Sequence, residues 1–414
     1  MRLQSRFVLA ALLSASLASV ALAADKPAAS PAPATYLLTN DDGTFHNQVS
    51  FFTPGGTQAA PTLTYSTDVS TGGLGVAGGY FPLPRLAQPV DGSSPCVYAS
   101  DAGTADIAGI NIQTQTLAGT FQGSSDDAGD TNGIGVVVND NYLYAGYSAS
   151  NTIGTFAVLP GCQLSFLGDV PAAGLNGGSP AGMGLHGSLL VVAYADGSIE
   201  SFNVSNGLPV SNGDEQNSTG YTRNNTNFPE AVDITSDGHY AIFGDSAVDI
   251  VVEVSDISSG HLTATTPYNL KATPTSPGPS TGPSRATLQG LNSAAIRLSP
   301  DQTLLYIGSN EVGSVSATFF NAQTGVPSGG CSSPSLNGFF NPWTWSGSLA
   351  TRDNTGTGGV LYVAEYNTDT SYIGVVSVNV TGNTCTLTES SGSMVNDLLS
   401  PGLLSIATYP PRSF

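Results

Sequence analysis

The sequence predicts an all-β protein: a seven-bladed β-propeller with four-stranded blades, its ring closed by the C-terminal strand pairing with the N-terminal blade. Three observations lead there. A pair of strand-like segments recurs seven times along the chain, the recurrence is blade-sized, and the composition suits many short strands joined by tight turns, with 50 Gly and only 10% charged residues. No helical periodicity longer than two turns occurs after the first 23 residues.

Each unit reads as an apolar strand ending in a small or polar residue, a short turn, and a second strand. The pairs are Tyr36–Asn40 with Gln48–Phe52, Cys96–Asp101 with Asp106–Ile110, and Tyr142–Tyr147 with Thr152–Phe156. They continue as Leu190–Tyr194 with Ser198–Phe202, Tyr240–Asp245 with Val248–Val254, Leu305–Ser309 with Ser314–Phe319, and Leu361–Glu365 with Tyr372–Val378. Anchored on Leu38, Ala99, Ala145, Val192, Phe243, Ile307 and Val363, the steps are 61, 46, 47, 51, 64 and 56 residues. Propeller blades recur at roughly 40–50 residues, and longer steps mark loop insertions such as the Pro/Ser/Thr/Gly tract Ala272–Ser284. Each pair supplies the two middle strands of a blade, with segments such as Ala294–Leu298 as innermost strands. The chain begins on a middle strand and ends on Leu403–Ala407, an inner-strand pattern, so the last strand is expected to complete the first blade and remove open edges.

Residues 1–23 read as a secretory signal, with Arg2 and Arg6 ahead of an apolar run that ends in Ala21-Leu22-Ala23. Residues 24–35 form an Ala/Pro-rich spacer, and residues 36–414 form the propeller. No second apolar run reaches spanning length, so no membrane insertion is expected and the protein is placed outside the cytoplasm, secreted or periplasmic. The net charge is −20. It disfavours nucleic acid, whose phosphates it would repel. Four cysteines in an exported chain predict two disulfides. Three pairings are possible; Cys96–Cys162 with Cys331–Cys385 is preferred because each bond then joins neighbouring repeats. No metal site is expected from cysteine spacing and no cofactor is identified. Asp126–Gly133 is the one acidic cluster with a Ca²⁺-loop look, in a register that does not match an EF-hand. A monomer is expected.

The sixth unit, Ser299-Pro300-Asp301-x-x-Leu304-Leu305-Tyr306-Ile307-Gly308-Ser309-Asn310, resembles the repeat of the lactonase and YVTN-type seven-bladed propellers, the 6-phosphogluconolactonase-like proteins among them. The resemblance implies the fold, and it implies a catalytic role for Glu311, because Asn310-Glu311 matches the Asn-Glu pair of lactonase members. Those members also carry Gly-Pro-Arg-His at the start of the preceding inner strand, where this chain has Leu291-Asn292-Ser293-Ala294. A propeller ligand is expected at the channel mouth, among the ends of the second strands and the starts of the inner strands. That places Asn40, Asp101, Tyr147, Tyr194, Asp245, Asn310 and Glu365 with Glu230, Asn292 and Trp343 around one funnel. Carboxylates and aromatic rings there suit a small polar ligand; an exported protein is the other partner class. His186 and His239 fall in turns at the opposite face. The function expected is therefore ligand binding at the funnel without an assigned reaction. The alternative is an extracytoplasmic lactonase, a carboxylic ester hydrolase opening a sugar-derived lactone through Glu311.

Overall fold

The computed structural model describes residues 35–76, 84–89, 94–124, 133–218, 229–245, 251–269, 293–309, 315–331, 345–355, 358–366, 371–391, 393, 395–397 and 405–411. These residues form seven antiparallel sheets in a ring, all within one compact unit spanning Ala34–Phe414. The inner strands of blades 1 to 7 are Ser405–Tyr409, Leu86–Ala87, Ile134–Val138, Pro180–His186, Pro229–Ile234, Ser293–Leu298 and Trp345–Thr355. Behind them lie the second strands Tyr36–Asn40, Cys96–Asp101, Tyr142–Tyr147, Leu189–Tyr194, Tyr240–Asp245, Leu304–Ser309 and Gly358–Tyr366.

Closure takes the expected form. Ser405–Tyr409 pairs antiparallel with Tyr36–Asn40, in a register running from Tyr36 opposite Tyr409 to Asn40 opposite Ser405. Blade 1 is thus built from segments far apart in sequence, and the edge of Tyr36–Asn40 is covered.

Burial falls from the axis outward, which explains what the sequence displays. In blade 2 the second strand Cys96–Asp101 is buried at every position, while the outermost strand Thr116–Gln122 is exposed or half-buried throughout. Blades stack face to face, so both faces of a second strand are covered and the segment reads as a continuous apolar run. The core is correspondingly divided. Seven apolar clusters among the described residues each fill one gap between adjacent blades, as Leu37, Phe52, Tyr362 and Ile406 do between blades 7 and 1.

Two departures have local causes. The inner strand of blade 2 is only Leu86–Ala87, because Pro84 and Pro89 flank it and proline has no N–H for the ladder. In blades 4 and 7 the outermost position is split: Val210–Ser211 and Gln216–Asn217 pair with opposite ends of Ser198–Asn203, and Thr384–Glu389 and Val395–Asp397 divide Ser371–Thr381 in the same way.

Both disulfides are present with the expected pairing, Cys96–Cys162 joining blade 2 to blade 3 and Cys331–Cys385 joining blade 6 to blade 7. They close loops of 66 and 54 residues across two of the inter-blade gaps.

Candidate functional site: the central channel

The inner strands surround a channel of about 240 Å³. Its wall is largely small or aliphatic, including Val136, Gly182, Gly184, Ala231 and Ala295. The polar side chains are not spread evenly. Gln88, His186, Asp233, Arg297 and Thr408 line it at or near the finishing ends of their inner strands, whereas Ser348 and Ser405 lie near the starts. Among the described residues, the polar end of the channel is therefore the end where the inner strands finish.

Asp233 is held rigidly there. Its Oδ1 accepts the Ile234 N–H at 3.0 Å and its Oδ2 accepts the Leu298 N–H of blade 6 at 2.8 Å. Two backbone donors favour the carboxylate form and lock the rotamer. Gln88 Oε1 and Arg297 Nε are buried without hydrogen-bond partners among the described residues. A buried, unmatched polar atom costs about 1–3 kcal/mol, so both atoms call for a bound partner such as water or ligand. Burial pulls the His186 imidazole below its ordinary pKa, against an opposing pull from Asp237. At neutral pH His186 is therefore an uncharged ring. Gly238 lies against it so closely that a Cβ there would come within 2.4 Å of the ring.

Four of the sequence-expected funnel residues have described side chains, and these lie away from the channel wall. Asn40, Asp101, Tyr147 and Tyr194 are fully buried and do not line the channel. The reason is geometric: a second strand lies one strand spacing from the axis, and its side chains stand perpendicular to the sheet, toward neighbouring blades. Tyr147 packs in the apolar cluster between blades 2 and 3, and Tyr194 in that between blades 3 and 4, where its hydroxyl donates to Glu200 Oε2 at 2.7 Å. His186, expected away from the site, lines the channel. Glu230, Asp245 and Glu365 lie in their expected strands, but their side chains fall outside the described residues, as do Asn292, Asn310, Glu311, Trp343 and nearly all of the Asp126–Gly133 loop. Among the described residues no group of three or more side chains of metal-ligating type is assembled.

Asn40 and Asp101 belong instead to a dense polar cluster between blades 1 and 2. Asn40 Nδ2 donates to the carbonyls of Ser100 and Arg85, at 2.9 and 3.1 Å, and its Oδ1 accepts from Asn47. Asp101 Oδ1 accepts from Asn47 Nδ2 at 2.6 Å and from Thr71 Oγ1 at 2.7 Å. Directly across the ladder stands Asp106. Burial above all, reinforced by the Asp106 carboxyl, pushes the Asp101 pKa up to about 8 in spite of those two donors. Asp101 therefore keeps its proton at pH values where an exposed aspartate has lost it. Arg85, also fully buried, pairs with Asp42, under a Gly133 whose missing Cβ leaves room for the guanidinium. With Asp101 and Arg85 sealed from solvent and neither lining the channel, this cluster ties two blades together.

The ring and its polar-ended channel define the chain as a seven-bladed β-propeller. Neither a family model nor a curated protein matches its sequence. Solved structures do. A candidate 6-phosphogluconolactonase of Bacteroides uniformis superposes with a TM-score of 0.63 at 13% identity, covering 91% of this chain and 100% of that one. A second candidate 6-phosphogluconolactonase, from Bacteroides fragilis, gives 0.62 at 13% identity over 92% and 99% of the two chains. The periplasmic gluconolactonase of Pseudomonas aeruginosa gives 0.50 at 13% over 73% and 82%. The chain thus has the fold of the lactonase-like propellers, and at such identities the likeness speaks for the fold alone.

Proposed function

We propose that this chain is an exported, monomeric propeller that binds a small polar molecule in its central channel. The observation that carries the reading is the channel's polar end, where Gln88 Oε1 and Arg297 Nε are buried and unmatched among the described residues and Asp233 is rigidly held. A wall of aliphatic and glycine residues with a few fixed polar groups is the usual make-up of a small-molecule site. The channel volume suits a metabolite of sugar-acid size better than an exported protein segment. Export is supported by the leader-like residues 1–23 and by two disulfides, which persist in oxidising compartments. Calorimetry against sugars, sugar acids, amino acids and amines tests the reading. A saturable one-to-one ligand is expected, with slower amide exchange in Val136–Val138 and Met183–Leu185. Absence of any saturable ligand, or protection confined to the outer strands, contradicts it.

A lactone hydrolase is the second reading, favoured by the Asn310-Glu311 pair and by the gluconolactonase names of the fold neighbours. A pH-stat assay on glucono-δ-lactone decides it: turnover abolished by Glu311→Gln supports hydrolysis, and no turnover above the spontaneous rate removes it.

A further inference from the structure

Among the described residues, the polar end of the channel carries two side chains that bear charge, Asp233 and Arg297. Among the described residues there is no lysine, and the arginines are Arg85, Arg297 and Arg352. Arg85 is ion-paired with Asp42 and lies away from the channel wall. Arg352 lies two residues beyond Ala350, the last wall residue of its strand. Arg297 alone lines the channel.

Its setting differs from that of Arg85, whose guanidinium is ion-paired with Asp42. Aspartate and glutamate outnumber lysine and arginine 30 to 10, so a carboxylate partner is easy to supply. Yet among the described residues Arg297 makes no ion pair, and its Nε, like that of Arg85, is buried without a partner there. The one carboxylate lining the described channel, Asp233, has its oxygens on the Ile234 and Leu298 N–H groups. His186 brings no competing charge, since burial keeps its ring neutral at physiological pH. The strand itself holds Arg297 in place: Ile296 and Leu298 on either side pack into the cluster between blades 5 and 6. A guanidinium offers its Nε–H and one Nη–H as a planar fork that matches the two oxygens of a carboxylate or phosphate, and such charge-assisted bonds gain strength where water is scarce.

We infer that the channel ligand is an anion, a small molecule bearing a carboxylate or a phosphate, with Arg297 as its counter-charge. The inference rests on the channel being the binding site. It also assigns orientation: the oxyanion lies at the end where the inner strands finish, with the uncharged body of the ligand among Val136, Gly182 and Ala231 toward the other end.

Isothermal titration with three probes of similar size tests it: gluconate for a carboxylate, glucose 6-phosphate for a phosphate, and glucose as the neutral reference. At least one anion is expected to bind at least tenfold more tightly than glucose, and which of them does so names the oxyanion. Arg297→Gln is expected to weaken that anion by about 10–100-fold, the usual weight of a charge-assisted contact, while leaving glucose unchanged. Arg297→Lys should recover part of the loss, and Arg352→Gln should leave affinity as it is. Circular dichroism and the melting temperature show whether each variant folds, and Arg297→Lys keeps the test decisive if Arg297→Gln does not. Glucose binding as tightly as both anions, or anion affinity untouched by Arg297→Gln, overturns the anion assignment and leaves the channel reading standing. No binding by any probe, together with no ligand in the wider panel, overturns both.

Discussion

The buried Asp101–Asp106 pair makes the stability of the ring depend on pH in a direction opposite to that of most paired carboxylates. Asp101 is pushed up to about 8, while in the unfolded chain it titrates near 3.8. Below about 3.8 it is protonated in both states, and the fold carries no penalty from it. Between about 3.8 and 8 the folded chain keeps a proton that the unfolded chain has released, so stability falls as pH rises. Above about 8 the full cost of a buried charge is present. At about 1.4 kcal/mol per unit, a difference of some four units corresponds to roughly 6 kcal/mol across the window. Asp101→Asn removes this dependence and keeps the Oδ1 contacts, because the amide oxygen still accepts from Asn47 and Thr71. The assay is urea unfolding of both proteins at pH 5, 7 and 9. The variant's advantage should grow with pH, and half of the full value, about 3 kcal/mol, moves the midpoint by roughly 1 M or more at m values of about 1–3 kcal/mol/M. A variant less stable than the parent by the same amount at all three pH values would refute the proton retained on Asp101.

Three further outcomes follow from the packing. Replacing the Cys96–Cys162 pair by alanine should cost about 4 kcal/mol, from the loop entropy of a 66-residue closure, seen as a lower urea midpoint. Tyr306→Phe should be neutral or stabilising by about 1–2 kcal/mol in thermal unfolding, because the Tyr306 hydroxyl is buried without a hydrogen-bond partner among the described residues. Deleting residues 405–414 removes the inner strand of blade 1 and exposes the edge of Tyr36–Asn40; the shortened chain should lose its cooperative melt and aggregate on a sizing column.

The architecture is legible in the sequence because the second strands are covered on both faces, and segments such as Leu361–Glu365 therefore stand out as apolar runs between turns. The outermost strands carry no such mark. Thr116–Gln122 is exposed or half-buried along its length, and Val210–Ser211, Gln216–Asn217 and Val395–Asp397 pair through only two or three residues each, too few for a periodicity. The site is less legible for a different reason. Strand order along the chain identifies which residues end a second strand, but not that stacking turns those side chains into the gaps between blades, as it does for Tyr147 and Tyr194. Arg297 does leave a signal, a charge inside the apolar run Ala294–Leu298. Its meaning depends on its place in the channel wall, which only the closed ring establishes. The buried cluster of Asp101, Asp106, Asp42 and Arg85 is invisible in the same way, since its members are brought together by the junction of blades 1 and 2.

The central claim is that the channel is the binding site and Arg297 its anchor. A crystal structure of the protein soaked with the tightest-binding anion of the titration tests it most directly. The account predicts ligand density inside the channel with its oxyanion in hydrogen-bond contact with the Arg297 guanidinium. Ligand seated on the outer surface or among the turns of the second strands, with the channel holding only water, would contradict it.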